Sequence, residues 1–186
     1  MKTQKLFLGA FVGGIILFFW QFLSHTVLNL HAPAEQYTPA QEQLLAELSK
    51  HLSKPGGYML PRLETNTMEY PADFVQKFQG KPWATIQYHP SLSMDMSYNI
   101  IREFILDVVL VFLFLLVLRR LKNQSPGQII FLCLLLGFII FSNSSYSYHI
   151  WYPRYDLRAD LIDYVVSWGL CGLFLALYLP EKRRVP

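Results

Sequence analysis

The stretch LFLGAFVGGIILFFWQFL, Leu6 to Leu23, runs 18 residues without a charged side chain. At 1.5 Å rise per residue, a helix of that length crosses most of a hydrocarbon core about 30 Å thick. The chain must therefore place it in lipid or bury it whole. A basic flank before it and the sequence APA at residues 32–34 also fit a cleaved leader, but the core of a signal peptide is only about 7 to 15 residues long. The length favours a retained anchor.

Three more apolar runs repeat the pattern. FILDVVLVFLFLLVL spans Phe104 to Leu118 and is extended by Ile100 and Ile101; IIFLCLLLGFIIF spans Ile129 to Phe141; LIDYVVSWGLCGLFLALYL spans Leu161 to Leu179. The middle one is short for a span, and the uncharged SNSSYSY beyond it can carry the helix to the interface. Hydrophobic residues make up 53% of the 186 and charged residues 16%, against roughly 25% charged in soluble domains. The expected class is membrane all-α, a four-helix transmembrane bundle. Lys2 and Lys5 precede the first helix, Arg119, Arg120 and Lys122 lie between the second and third, and Lys182, Arg183 and Arg184 follow the fourth. Basic residues collect on the cytoplasmic side, so both termini are expected there, with the long 24–99 loop outside. This topology accounts for the net charge of +3, and no nucleic-acid partner is read from it. Cys133 and Cys171 both fall in apolar runs, so no disulfide framework holds the outward loops.

The outward segment has its own pattern. TPAQEQLLAELSKHL starts with Thr38 in N-cap position, Pro39 at the first helical position and Gln41 placed to close a capping box. Leu44, Leu45, Leu48 and Leu52 then form one stripe at helical spacing. YMLPRL at 58–63 and WATIQYH at 83–89 read as short antiparallel strands. Between them Phe74 and Phe78, four apart and followed by Gly80, suit a short helix. The chain thus divides into a first transmembrane helix with flanks over 1–31, a small α+β extracytoplasmic cap over 32–97 between helices one and two, and the remaining three helices over 98–186.

A tryptophan-ended first helix followed by LSHTVLNLH, the outward YMLPRL and GKPWATIQYHP, and IWYPRYDLRADLIDYVVSWGLCGLFLA occur together. This combination resembles a family of small bacterial four-helix inner-membrane proteins with no assigned biochemical function. The family's acidic, tryptophan and glycine positions in the last helix correspond to Asp163, Trp168 and Gly172. The chain departs from the W-x-x-P segment before that helix, since Trp151 and Pro153 are only two apart. The resemblance implies the topology and adds no activity.

Several groups of residues carry chemistry. Glu103 and Asp107 share a face of the second helix, Asp160 and Asp163 enter with the fourth, and His25 and His149 lie at the same end. Together they are a candidate polar site, able to hold a divalent metal or to pass protons. Arg102 and Arg158 are equally available as structural ion-pair partners. His89, Met94 and Met96 offer imidazole and thioether ligands of a kind that suits Cu(I); a Met-x-Met in a linker also serves as a plain apolar contact. Gly9, Gly13 and Gly14 let a helix approach closely, either within the bundle or from another subunit. Trp20, Tyr146, Tyr148, Trp151, Tyr152 and Tyr155 fit an interfacial aromatic belt. No catalytic or nucleotide-binding motif is present and no cofactor is implied. The expectation is a non-catalytic accessory or scaffolding subunit of a larger membrane complex, with the bilayer and other subunits, or a second copy, as partners. The alternatives are a metal- or proton-handling protein and an oligomeric small transporter or channel.

Overall fold

The computed structural model describes residues 3–65, 69–121 and 124–179, so Lys2, Lys122, Lys182, Arg183 and Arg184 of the charge pattern lie outside the described residues. It contains two compact units, Met1–Gln36 with Asp95–Pro186, and Tyr37–Met94.

The first unit is helical. Its long helices are α1 (Thr3–Phe22), α4 (Ser97–Arg120), α5 (Pro126–Phe141) and α7 (Leu157–Tyr178). α1 packs on α4 and α7, and α5 packs on α7. Among the described residues, three helical stretches are long and apolar enough to cross a membrane: Thr3–Val27, Pro126–Trp151 and Leu157–Tyr178. α4, expected as a fourth span, has the length, with 24 residues. Arg102, Glu103, Asp107, Arg119 and Arg120 interrupt its apolar character. The SNSSYSY segment does continue α5, through a π-helical turn at Ser142–Tyr146 into α6 (Ser147–Trp151). α5 starts where Ser125 and Gln128 form a reciprocal capping box, with Pro126 directly behind it.

Glycines set the helix spacing. A Cβ on Gly14 would stand 2.8 Å from the Val108 Cα, and one on Gly137 would stand 2.7 Å from the Tyr164 carbonyl oxygen. Gly9 and Gly13 likewise face Leu115, Tyr178, Val111 and Cys171 of the same chain. The glycine face of α1 is therefore filled by α4 and α7. The core between them is apolar: Leu6, Ala10, Leu17, Val111, Leu115, Leu118 and Leu175 are buried with Cys133 and Cys171. At one end Lys5 Nζ donates to the Leu179 carbonyl at 3.0 Å. At the other, Trp20 Nε1 donates to Asp163 Oδ1 at 3.0 Å, so α1 and α7 run antiparallel.

The second unit contains α2 (Gln41–His51), β1 (Gly56–Leu60), α3 (Ala72–Phe78) and β2 (Ala84–Tyr88). The strands pair antiparallel from Gly56↔Tyr88 to Leu60↔Ala84, and the Phe74 and Phe78 rings lie 4.7 Å apart, tilted by 50°, as their spacing suggests. The start of α2 differs from the expectation. Thr38 Oγ1 accepts from the Ala40 amide at 3.3 Å, making a local turn, and the helix begins at Gln41 without a side-chain cap. Its leucine stripe is not a core face, since Leu44 and Leu45 are exposed.

Candidate cation-binding cleft

The site forms at the Trp20 end of the helical unit because α1 does not stop cleanly. Beyond Phe22 the helix widens into a π-helical turn, Leu23–Val27, and Asn29 then takes a left-handed conformation at φ 49°. Asparagine tolerates that region better than most residues. The reversal leads into a 3₁₀ turn at Ala32–Ala34 and folds His31 back into a buried position. From the other side come Asp156 at the N-cap position of α7 and Asp160, Asp163 and Ser167 along it. Their spacings of four, three and four residues put all of them on one helical face.

His31 is held between two carboxylates. Its Nδ1 lies 3.2 Å from Asp156 Oδ2 and its Nε2 lies 2.8 Å from Asp163 Oδ2. The second Asp163 oxygen takes the Trp20 indole hydrogen. Arg154 grips Asp156 with two contacts, Nε to Oδ1 at 3.1 Å and Nη2 to Oδ2 at 2.8 Å. Its Nη1 meets Asp160 Oδ2 at 3.1 Å as an ion pair that lacks hydrogen-bond geometry. His25 stacks over His31 with ring centres 4.0 Å apart and planes within 10°. His25, His31, Arg154 and the three aspartates line a cleft of about 310 Å³ whose walls also include Glu35, Glu103 and Ser167.

The electrostatics follow from this arrangement. Burial pulls the His31 pKa down, but the hydrogen bonds to Asp163 and Asp156 and the charges of both outweigh it, leaving His31 above its ordinary 6.5. Both ring nitrogens face carboxylates, and only the imidazolium can donate to both. Burial pushes Asp156 up, yet the Arg154 and His31 contacts hold it below the usual carboxylate range. Arg154, opposed by burial, is held above its ordinary value by Asp156 and Asp160.

Of the residues expected to converge, His25, Glu103, Asp160 and Asp163 line this cleft. Asp107, His149, Arg102 and Arg158 are not among its lining residues. Asp107 is 1% exposed, with Oδ2 lacking a hydrogen-bond partner among the described residues. His149 acts from behind: its Nδ1 accepts the Arg154 amide hydrogen at 2.9 Å and so shapes the loop. Arg102 lies over the Tyr98 ring, and Arg158 is exposed. His89, Met94 and Met96 are exposed as well.

Sequence reasoning missed His31, Arg154, Asp156 and the role of Trp20. The 156, 160, 163, 167 spacing was a readable signal for the α7 face. Nothing in the local sequence marked His31, which reaches the site only through the turn at Asn29. Comparison of the chain with family models, curated proteins and solved structures found no match.

Proposed function

We propose that this chain is an integral membrane protein that captures a cation in an outward-facing cleft, with α1, α4, α5 and α7 all crossing the bilayer and both termini cytoplasmic. One observation carries the reading: Asp156, Asp160 and Asp163 are gathered around two cationic side chains among the described residues, Arg154 and His31. The inner cluster keeps one unbalanced negative charge when His31 is protonated and two when it is not. Glu35 and Glu103 on the cleft wall add to that excess. The α7 N-terminus, equivalent to about half a positive charge, offsets only part of it. Ionisable groups at membrane depth are expensive and mark sites of pairing or function; an incoming cation supplies the charge the cluster lacks.

The topology is supported by the placement of charge on α4. Its Arg102 and Glu103 lie near one end, Arg119 and Arg120 at the other, and Asp107 is turned inward. The accessory-subunit reading drew on small size, the α1 glycine face and the absence of a chemical motif; of these, the glycine face is filled within the chain. A through-membrane path has no support from the apolar core.

Thermal unfolding of the full-length protein in lipid nanodiscs, with Mg²⁺, Ca²⁺, Mn²⁺ and Zn²⁺ added in turn, tests the reading. A cation that binds the folded state alone stabilises it by about 2.7 kcal/mol at a hundred times its Kd. At least one of the four should raise the midpoint in a concentration-dependent way. If none does, the reading fails.

A further inference from the structure

The geometry points to a divalent transition-metal site formed by His25, His31 and Asp163, with Asp156 as the outer carboxylate that aims His31. This assignment rests on the cation-capture reading and narrows it to one class of ion. One donor atom from each of the three ligands lies within 4.8 Å of the others. Two imidazoles and one carboxylate suit zinc and its neighbours, whereas calcium and magnesium prefer all-oxygen surroundings.

The two nitrogens of His31 are already divided between two tasks. Nδ1 faces Asp156, which Arg154 holds in place, and Nε2 faces Asp163. A ligating histidine usually donates its other ring hydrogen to a carboxylate in this way, which fixes its tautomer and orientation. Trp20 occupies only Oδ1 of Asp163, so Oδ2 remains for the ion.

Two bonds of 2.0–2.1 Å at a tetrahedral angle separate the ligand atoms by about 3.3 Å. Starting from 2.8 Å between His31 Nε2 and Asp163 Oδ2, a small opening suffices. As the ion enters, the proton on Nε2 departs to solvent and the freed nitrogen lone pair forms the metal bond. His25 has to tilt, because two nearly parallel rings cannot both aim in-plane lone pairs at one ion. It is exposed and makes no hydrogen bond among the described residues, so the turn gives up its stacking on His31 and no hydrogen bond. Water from the cleft fills the fourth position. A second grouping, His31 with Asp156 and Asp160, also lies within 4.8 Å, but there Arg154 already occupies both carboxylates.

The experiment titrates the full-length protein in nanodiscs with Co²⁺ and Zn²⁺, reading the cobalt visible spectrum and zinc stoichiometry after desalting. Wild type should hold one ion per chain and show the intense visible bands of four-coordinate cobalt. His25→Ala, which leaves the His31 clasp intact, should weaken binding at least tenfold, while Glu42→Gln on α2, which is not among the residues lining the cleft, should change it little. Equal zinc affinity in wild type and His25→Ala overturns the assignment. Calcium or magnesium binding without zinc binding overturns it too, while leaving cation capture standing; retention of no cation at all removes both.

Discussion

At the scale of the residue, the site depends on His31 having a carboxylate on each side. Removing one partner leaves charge buried without compensation, which typically costs about 3–5 kcal/mol. Asp156→Ala should cost about 3 kcal/mol, the lower end of that range, because Arg154 is a third exposed and can rehydrate. His25→Ala should change the thermal midpoint of the ion-free protein little, since His25 only stacks. Parallel melts of the two variants check the contrast, and equal loss in both would show that the clasp is not where the stability lies. The pH dependence has a definite sign in ion-free protein. His31 has a raised folded value, so its contribution is complete below 6.5 and is lost as pH rises through that raised value. Asp156 has a lowered one, so its contribution is present above 3.8 and lost as pH falls through the lowered value. Melting temperatures should peak between these limits; a midpoint that climbs steadily from pH 6.5 to 8 would contradict the His31 clasp.

At the scale of the element, helix spacing and helix endings decide what the side chains can reach. Gly14 places α1 against the Val108 backbone, where an added Cβ has no flexible neighbour to displace. Gly14→Ala should therefore destabilise by about 1–3 kcal/mol, as overpacking does, and Gly127→Ala, with open space around it, should be close to neutral by the same melts. The apolar runs, both strands and the Phe74–Phe78 helix were legible because each depends on local periodicity or composition. The end of α1 was not. A π-helical turn and a left-handed Asn29 carry no periodic signature, and they bring His31 onto residues more than a hundred positions away. Asp156 and Arg154 carried no signal for a related reason: two residues apart beside a belt of aromatics they look like a solvated pair, and only the fold brings His31 onto Asp156 and Asp160 onto Arg154. The Ser125 to Gln128 capping box, by contrast, was written in the local sequence and is found at the start of α5.

At the scale of the whole molecule, the apolar packing of α1, α4, α5 and α7 and the polar cleft at the Trp20 end serve different needs. The packing is built on glycines and leucines with Asp107 of α4 buried as well; the cleft keeps three carboxylates close to two cations. Cation capture predicts that the cleft holds an ion without any route through the core beneath it. The most direct measurement is equilibrium dialysis of the full-length protein in nanodiscs against an equimolar mixture of Mg²⁺, Ca²⁺, Mn²⁺ and Zn²⁺, followed by elemental analysis. One equivalent of a single cation should be retained by wild type and lost in Asp163→Asn. Retention of none, or the same retention by wild type and Asp163→Asn, would contradict the account.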